Sequence, residues 1–390
     1  EVLRRFGSGA LAEAVDASVL QRFSVRDLLS TLTSLDRGPR DGSHSALVAL
    51  TNRRIAIDDA VSAQMLEDRH RSVPALKHSR ADQTSRFGKA ILLTGATGFF
   101  GPFLLAELLR QTDAAIVTLV RASDSERAMA RVEIALKKTR VLTPELRAEL
   151  QDRVQPVCGD LSLPQWGLSE EQWSDLARCV GEIFHSGACV NYIMTYEAMR
   201  KANVEGTRAA LQLAFDSNAQ ALHLISSTFI FGWSARGVLL ESNCNADMQA
   251  LDFGYAQSKW VAEQLALDAR DDGLDVRIYR PALISVSKQG AGDDNDVAIR
   301  MLAFMIRHGI AVDTPNQLSI VAADVIAHNI VGISRLHGES SPALHVVADN
   351  YYSMTELTRV ISRDFGYAFT YYDIAHFIKE LNRLCRPTDP

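Results

Sequence analysis

Tyr255 and Lys259, four residues apart in Gly254-Tyr255-Ala256-Gln257-Ser258-Lys259-Trp260, could together do acid–base chemistry. Helical spacing would put both side chains on one face. A free tyrosine has a pKa of about 10 and is a poor proton donor and acceptor near neutrality. A neighbouring ammonium favours the phenolate and draws that value down. Such a pair also needs a hydroxyl to hold a substrate oxygen as charge develops. The apolar run Leu222–Ile225 ends in Ser226, Ser227 and Thr228. Thr228 is taken as the partner and Ser227 as the alternate, and the remaining hydroxyls are expected to bond nearby backbone.

A second group of residues could hold phosphates. In Thr94-Gly95-Ala96-Thr97-Gly98-Phe99-Phe100-Gly101 the glycines fall three apart, after an apolar run and before a helical one. Glycines allow a tight turn and close approach of backbone to a pyrophosphate, and the following helix offers its N–H groups. The next apolar run ends at Val120-Arg121. An acidic residue at that point usually holds the ribose hydroxyls of NAD, whereas a cation suits the 2′-phosphate of NADP. Arg131 could close on the same phosphate, and Asp124 is the nearby acid that argues the other way. Asp160, in Gly159-Asp160-Leu161, could meet the adenine edge.

The elements around these residues alternate. Apolar runs at Ala90–Thr94, Ala115–Val120, Val154–Cys158, Glu182–His185, Ala221–Ser226 and Val276–Tyr279 read as buried strands. Helical spacing appears at Pro102–Arg110, Ser123–Lys138, Thr195–Phe215 and Phe253–Arg270. This alternation predicts an α/β fold, a doubly wound parallel Rossmann sheet, over 88–285. Residues 1–87 are expected to be a helical N-terminal extension or linker, with helices at Ser24–Leu35 and Asp58–Arg69 between polar stretches. That extension is expected to dock a carrier or neighbouring domain without supporting catalysis. Residues 286–390 are expected to form a smaller substrate-binding lobe. There Met301, Phe304, Met305 and His308 share a helix face, either a core face or a wall for an acyl chain.

Composition narrows the classes. A net charge of −6 argues against nucleic acid as a partner. No apolar run reaches the roughly 18–20 residues of a membrane helix, and the first residues lack the apolar core of a signal peptide. Five scattered cysteines without metal-ligand spacing predict reduced thiols, no metal and a cytoplasmic setting.

In order, the motifs Leu93–Gly101, Leu119–Ala122, Gly159–Leu161, His185–Asn191, Asn203–Thr207, Ser227-Thr228, Gly254–Trp260 and Arg280-Pro281 resemble the extended short-chain dehydrogenase/reductases. More narrowly they resemble the thioester reductase domains of nonribosomal peptide synthetases, polyketide synthases and carboxylic acid reductases. The resemblance spans about 88 to 380. It implies that Thr228, Tyr255 and Lys259 are catalytic. It implies that Gly95, Thr97, Gly98, Phe99, Gly101, Arg121, Arg131, Asp160 and Lys259 touch NADPH, with Ser186, Gly187 and Ala188 bordering the nicotinamide. It implies as substrate an acyl or peptidyl thioester on a phosphopantetheinylated carrier protein, released as an aldehyde, with onward reduction to an alcohol left open. Residues 19–35 resemble the last helix of such a carrier, without its phosphopantetheine site. Two other readings remain: a nucleotide-sugar epimerase or dehydratase on the same fold, and an NADP-binding scaffold without turnover.

Overall fold

Seven parallel strands form the central sheet of the computed structural model, which describes residues 59–71, 73, 89–232, 239–242, 248, 251, 253–293, 296–336 and 341–386. The strands are β1 (Ala90–Thr94), β2 (Ile116–Val120), β3 (Val154–Cys158), β4 (Val180–His185), β5 (Ala221–Ile225), β6 (Val276–Pro281) and β11 (Ala343–Val346). Their order is β11-β6-β5-β4-β1-β2-β3, so the chain reverses direction across the sheet between β1 and β4. Every residue of β1, β2 and β5 is buried, as continuous apolar runs demand. Helices pack on both faces, each with its own apolar cluster.

The helices follow from local chemistry. Helix α1 is Asp59–His70, and α2 is Gly101–Gln111, with proline in its first turn. Helix α3 (Ser125–Lys138) is capped by Asp124, which accepts from the Arg127 N–H. Helix α4 is Pro144–Arg153, capped by Thr143, and α5 (Glu170–Cys179) begins with a Ser169/Gln172 capping box. The expected single helix from Thr195 to Phe215 is instead α6 (Tyr196–Arg200), a π-turn (Lys201–Glu205) and α7 (Gly206–Asp216). Helix α8 (Gly254–Asp271) is buried along nearly its whole first half.

The described parts of 57–293 and 320–348 form one compact unit, and those of 294–319 and 349–390 form another. The expected boundary at 285 therefore needs correction. After short β7 (Leu283–Ser285) the chain leaves, then returns as β10 (Ile320–Ala322), α10 (Ala323–Ser334) and β11, with α10 against α2 and β11 beside β6.

The smaller unit contains α9 (Val297–His308), β8 (Ile310–Val312), β9 (Gln317–Leu318), β12 (Tyr352–Ser353), α11 (Met354–Phe365), β13 (Thr370–Tyr372) and α12 (Ile374–Leu384). Phe304 and Met305 are buried there against Ile310, Ala311 and Phe377, while His308 lies against the Phe304 ring. Those two positions pack the unit's own core, so the acyl-wall reading of this face is not supported.

Helix α1 also departs from expectation. Met65 is fully buried in the core, and Asp68 is 1% exposed. The Asp68 carboxylate accepts from Tyr196 Oη at 2.7 Å and from Arg200 Nε at 2.6 Å. Burial pushes that carboxyl up, but the Arg200 and Tyr196 hydrogen bonds and the Arg200 charge outweigh it and hold it below its ordinary value. Arg208 donates to the Asp68 carbonyl, and Arg69 lies over the Trp260 ring of α8. These twelve residues thus pack against α8 of the sheet unit. The carrier-like stretch 19–35 and the helix at Ser24–Leu35 lie outside the described residues. Among the described residues no helix is long and apolar enough to cross a membrane.

Candidate active site

The C-terminal ends of β1, β4 and β5 bring the sequence motifs together, where open α/β sheets bind ligands. Gly95 leaves β1 with φ +81°, and a Cβ there would meet Gly187 N at 2.7 Å. A Cβ on Gly101 would collide with the Gly95 carbonyl. Only glycine fits either position, so the phosphate turn and the β4 loop share one close backbone approach. Helix α2 opens directly from this turn with no side-chain cap. Pro102 has no N–H, and the Phe103 and Leu104 N–H groups donate to the Phe100 carbonyl, so an anion here would be met by the backbone of the glycine turn and the very start of the helix. Gly98 is exposed, and Thr97 and Phe99 are half-buried at the same turn. The donor set fits a dinucleotide pyrophosphate.

Arg121 is exposed at the end of β2, and Arg131 is exposed on α3. Asp124 is used as the α3 cap. Asp160 accepts from the Ser162 N–H at 2.9 Å and its hydroxyl at 2.7 Å. The Ser162 backbone bond, helped by the charge of Arg121, holds its carboxyl below the ordinary value. Asp160 and Arg121 therefore sit within electrostatic reach of each other.

At β4, His185 builds a directional chain that the sequence motifs did not announce. The Gly187 N–H donates to Thr94 Oγ1 at 3.0 Å, and Thr94 Oγ1 lies 2.9 Å from His185 Nδ1. His185 Nε2 lies 3.1 Å from Thr207 Oγ1, which donates to the Asn203 carbonyl at 2.7 Å. Thr207 has spent its single proton, so His185 must donate from Nε2 and accept at Nδ1. Burial, with the Lys259 charge, pulls its pKa down to about 3 and keeps the ring neutral. Asn203, inside the π-turn, accepts from the Cys189 N–H and donates to the Cys189 carbonyl and Ser258 Oγ, tying the β4 loop to α8. π-turns often mark functional positions. Ser186 and Ala188 are half-buried in this loop, and Gly187 is buried.

Tyr255 and Lys259 occupy the first turns of α8, both buried. Burial pushes the Tyr255 phenol well above its ordinary pKa, a shift opposed by Ser227 as a hydrogen-bonding neighbour. Lys259 does not supply the expected lowering. Its Nζ donates to the Ile225 carbonyl at 2.6 Å, and burial draws its pKa down to about 8 against the upward pull of Glu263. The phenol is therefore protonated at neutral pH, as a proton donor must be. Thr228, expected as the hydroxyl partner, opens the short turn Thr228–Phe231 and is half-buried; the alternate, Ser227, bears on the phenol. Below the pair, Glu263 accepts from Ser226 Oγ at 2.7 Å and pairs with Arg280, both fully buried.

Residues 93–330 match the NAD-binding family described as Male sterility protein. The chain is 36% identical over 314 residues to a linear gramicidin synthase polypeptide of Brevibacillus parabrevis, which is 78% of this chain and 6% of that protein. It is 29% identical to L-2-aminoadipate reductase of Saccharomyces cerevisiae over 82% of this chain and 24% of that enzyme. The chain thus spans a small part of these relatives. The crystal structure of the terminal R domain from the myxalamid PKS-NRPS pathway is similar at TM-score 0.74 and 33% identity, over 83% of this chain and 82% of that one. With a glycine turn, a buried Tyr255/Lys259 pair and this match along the domain's length, the chain belongs to the NAD-binding Male sterility protein family, among the terminal reductase domains of peptide and polyketide synthases.

Proposed function

We propose that this chain binds NADPH and reductively releases an acyl or peptidyl group held as a thioester on the phosphopantetheine arm of a carrier protein, giving an aldehyde. The observation that carries this reading is the buried Tyr255 one turn before Lys259, which is tied to the end of β5, at the strand ends that also bear the glycine turn. Gly95, Thr97, Gly98, Phe99 and Gly101 would receive the pyrophosphate, Arg121 and Arg131 the 2′-phosphate, and Asp160 the adenine edge. Ser186, Gly187 and Ala188 would border the nicotinamide, and Lys259 its ribose. When bound, NADPH supplies a hydride to the thioester carbonyl carbon. Tyr255 donates its proton to the carbonyl oxygen, and the Ser227 or Thr228 hydroxyl holds that oxygen as charge develops. The thiohemiacetal so formed then expels the phosphopantetheine thiol and leaves the aldehyde. The intact Tyr255/Lys259 pair favours turnover over a silent scaffold. Incubation with NADPH and simple acyl-pantetheine thioesters tests this: nicotinamide absorbance should fall as aldehyde accumulates. Neither change with any thioester would overturn it.

A further inference from the structure

Three aromatic rings converge on the proposed proton donor. Tyr192 lies 6.2 Å from Tyr255 between ring centroids, and Phe229 and Phe253 each lie 6.4 Å from it. The three also touch one another, Phe229 and Phe253 at 5.4 Å and Tyr192 and Phe229 at 5.7 Å. Phe229 is nevertheless 37% exposed, and Ile193 beside this cluster in sequence is 93% exposed. Exposed apolar groups gathered around a catalytic hydroxyl are a binding surface in waiting.

Polar side chains of these segments are engaged in local turns and caps. Asn191 Oδ1 accepts from the Ile193 and Met194 N–H groups, Thr195 caps the Ala198 N–H, and Ser227 accepts from the Phe229 N–H. No residue within 186–196, 226–232 or 253–258 carries a charge. An ionised group placed here would lose water, and the cation next to these segments, Lys259, is buried and already donates to the Ile225 carbonyl. An alkyl or aryl chain would lose only its contact with water, and the rings offer it large faces.

We propose that the acyl group taken by this site is apolar where it adjoins the reacting carbonyl, held by an aromatic lip of Tyr192, Phe229 and Phe253. The proposal rests on the thioester reading above and names its substrate class. It moves acyl recognition away from the α9 face and onto the segments that carry the catalytic groups.

The test compares hexanoyl-pantetheine with adipyl-pantetheine, equal in chain length and differing by a terminal carboxylate. Their non-reducible amide analogues are titrated into the NADPH-loaded protein by calorimetry, and the thioesters are assayed for turnover. The hexanoyl amide should bind at least about tenfold more tightly. Ile193→Lys, at a position too exposed to affect the core, should narrow that ratio at least about threefold by offering a counter-ion, with NADPH affinity unchanged. Phe229→Ala should weaken the hexanoyl amide and spare the adipyl one. Equal binding of the two amides, or a ratio untouched by Ile193→Lys, would overturn the proposal. A binding preference without turnover of either thioester would leave the apolar lip standing and remove the reductase reading instead.

Discussion

Lys259 reaches across from α8 to the end of β5 and donates to the Ile225 carbonyl at 2.6 Å. The bond fixes a buried ammonium one turn beyond Tyr255, and burial brings its pKa down to about 8. Two pH effects of opposite sign follow. The ammonium is lost above about pH 8, so kcat/KM for NADPH should fall there. Stability moves the other way. Between about pH 8 and the ordinary lysine value the unfolded chain holds more protons than the folded one, so folding strengthens as pH rises through that window. Lys259→Met should bind NADPH weakly at every pH and lose both trends. An unmutated protein with a flat pH profile from about 7 to about 9.5 would remove the ammonium from the mechanism.

Tyr255→Phe deletes one oxygen and keeps the ring. If the hydroxyl is the proton donor, kcat should fall roughly 10²–10⁴-fold with KM little changed. Ser227→Ala and Thr228→Val decide which hydroxyl assists. The influence of Ser227 on the Tyr255 phenol predicts the larger loss for Ser227→Ala. Steady-state rates on one thioester measure all three, and a Tyr255→Phe rate within about threefold of the parent would reject the assignment.

Arg121 stands exposed where β2 ends, and the nearby acid, Asp124, is committed to capping α3. NADPH should therefore bind at least about tenfold more tightly than NADH, about 1.4 kcal/mol. Arg121→Ala should erase most of that difference in a fluorescence titration of both cofactors.

The sheet was legible because strands buried on both faces must be apolar throughout, as in Ala90–Thr94 and Ala221–Ile225. The Tyr255/Lys259 pair was legible because one helix face is a matter of spacing. Asp68 was not, because its partners Tyr196 and Arg200 lie 128 and 132 residues away and nothing local marks it as buried. The apolar face of Met301, Phe304 and Met305 looks the same whether it meets a ligand or Phe377. The choice between Ser227 and Thr228 turns on where β5 ends, since consecutive side chains on an extended strand point opposite ways. His185 and Asn203 lie inside motifs that were recognised, but the chain between them needs the π-turn, which no periodicity announces.

Asp68 makes the N-terminal helix testable as part of the fold. Its carboxylate is buried, while Arg200 is 19% exposed. Asp68→Ala leaves the buried Tyr196 hydroxyl without its acceptor and Arg200 with Glu205 alone, and should cost roughly 1–3 kcal/mol in a denaturant titration. Removal of residues 59–71 should destabilise the sheet unit further. A truncated protein with an unchanged melting temperature would show that α1 is dispensable cover.

His185 carries the last expectation. Its pKa of about 3 lies below the unfolded value of about 6.5, so the unfolded chain takes up a proton first as pH falls. Stability from this residue is complete above about pH 6.5 and declines toward pH 3. At about pH 5 the loss is about 2 kcal/mol, from roughly 1.36 kcal/mol per pH unit and proton. His185→Asn should lower stability near neutral pH and flatten the decline on acidification, because the group that titrates is gone. Function should separate along the hydrogen-bond chain as well. His185 orders Thr94, and Thr94 fixes the Gly187 N–H against the Gly95 turn. His185→Asn should therefore raise the Kd for NADPH, and Thr94→Val should raise it in the same way while keeping the pH dependence of the parent. Were His185→Asn to lower the melting temperature yet bind NADPH as the parent does, the chain would be a core contact with no part in shaping the cofactor turn.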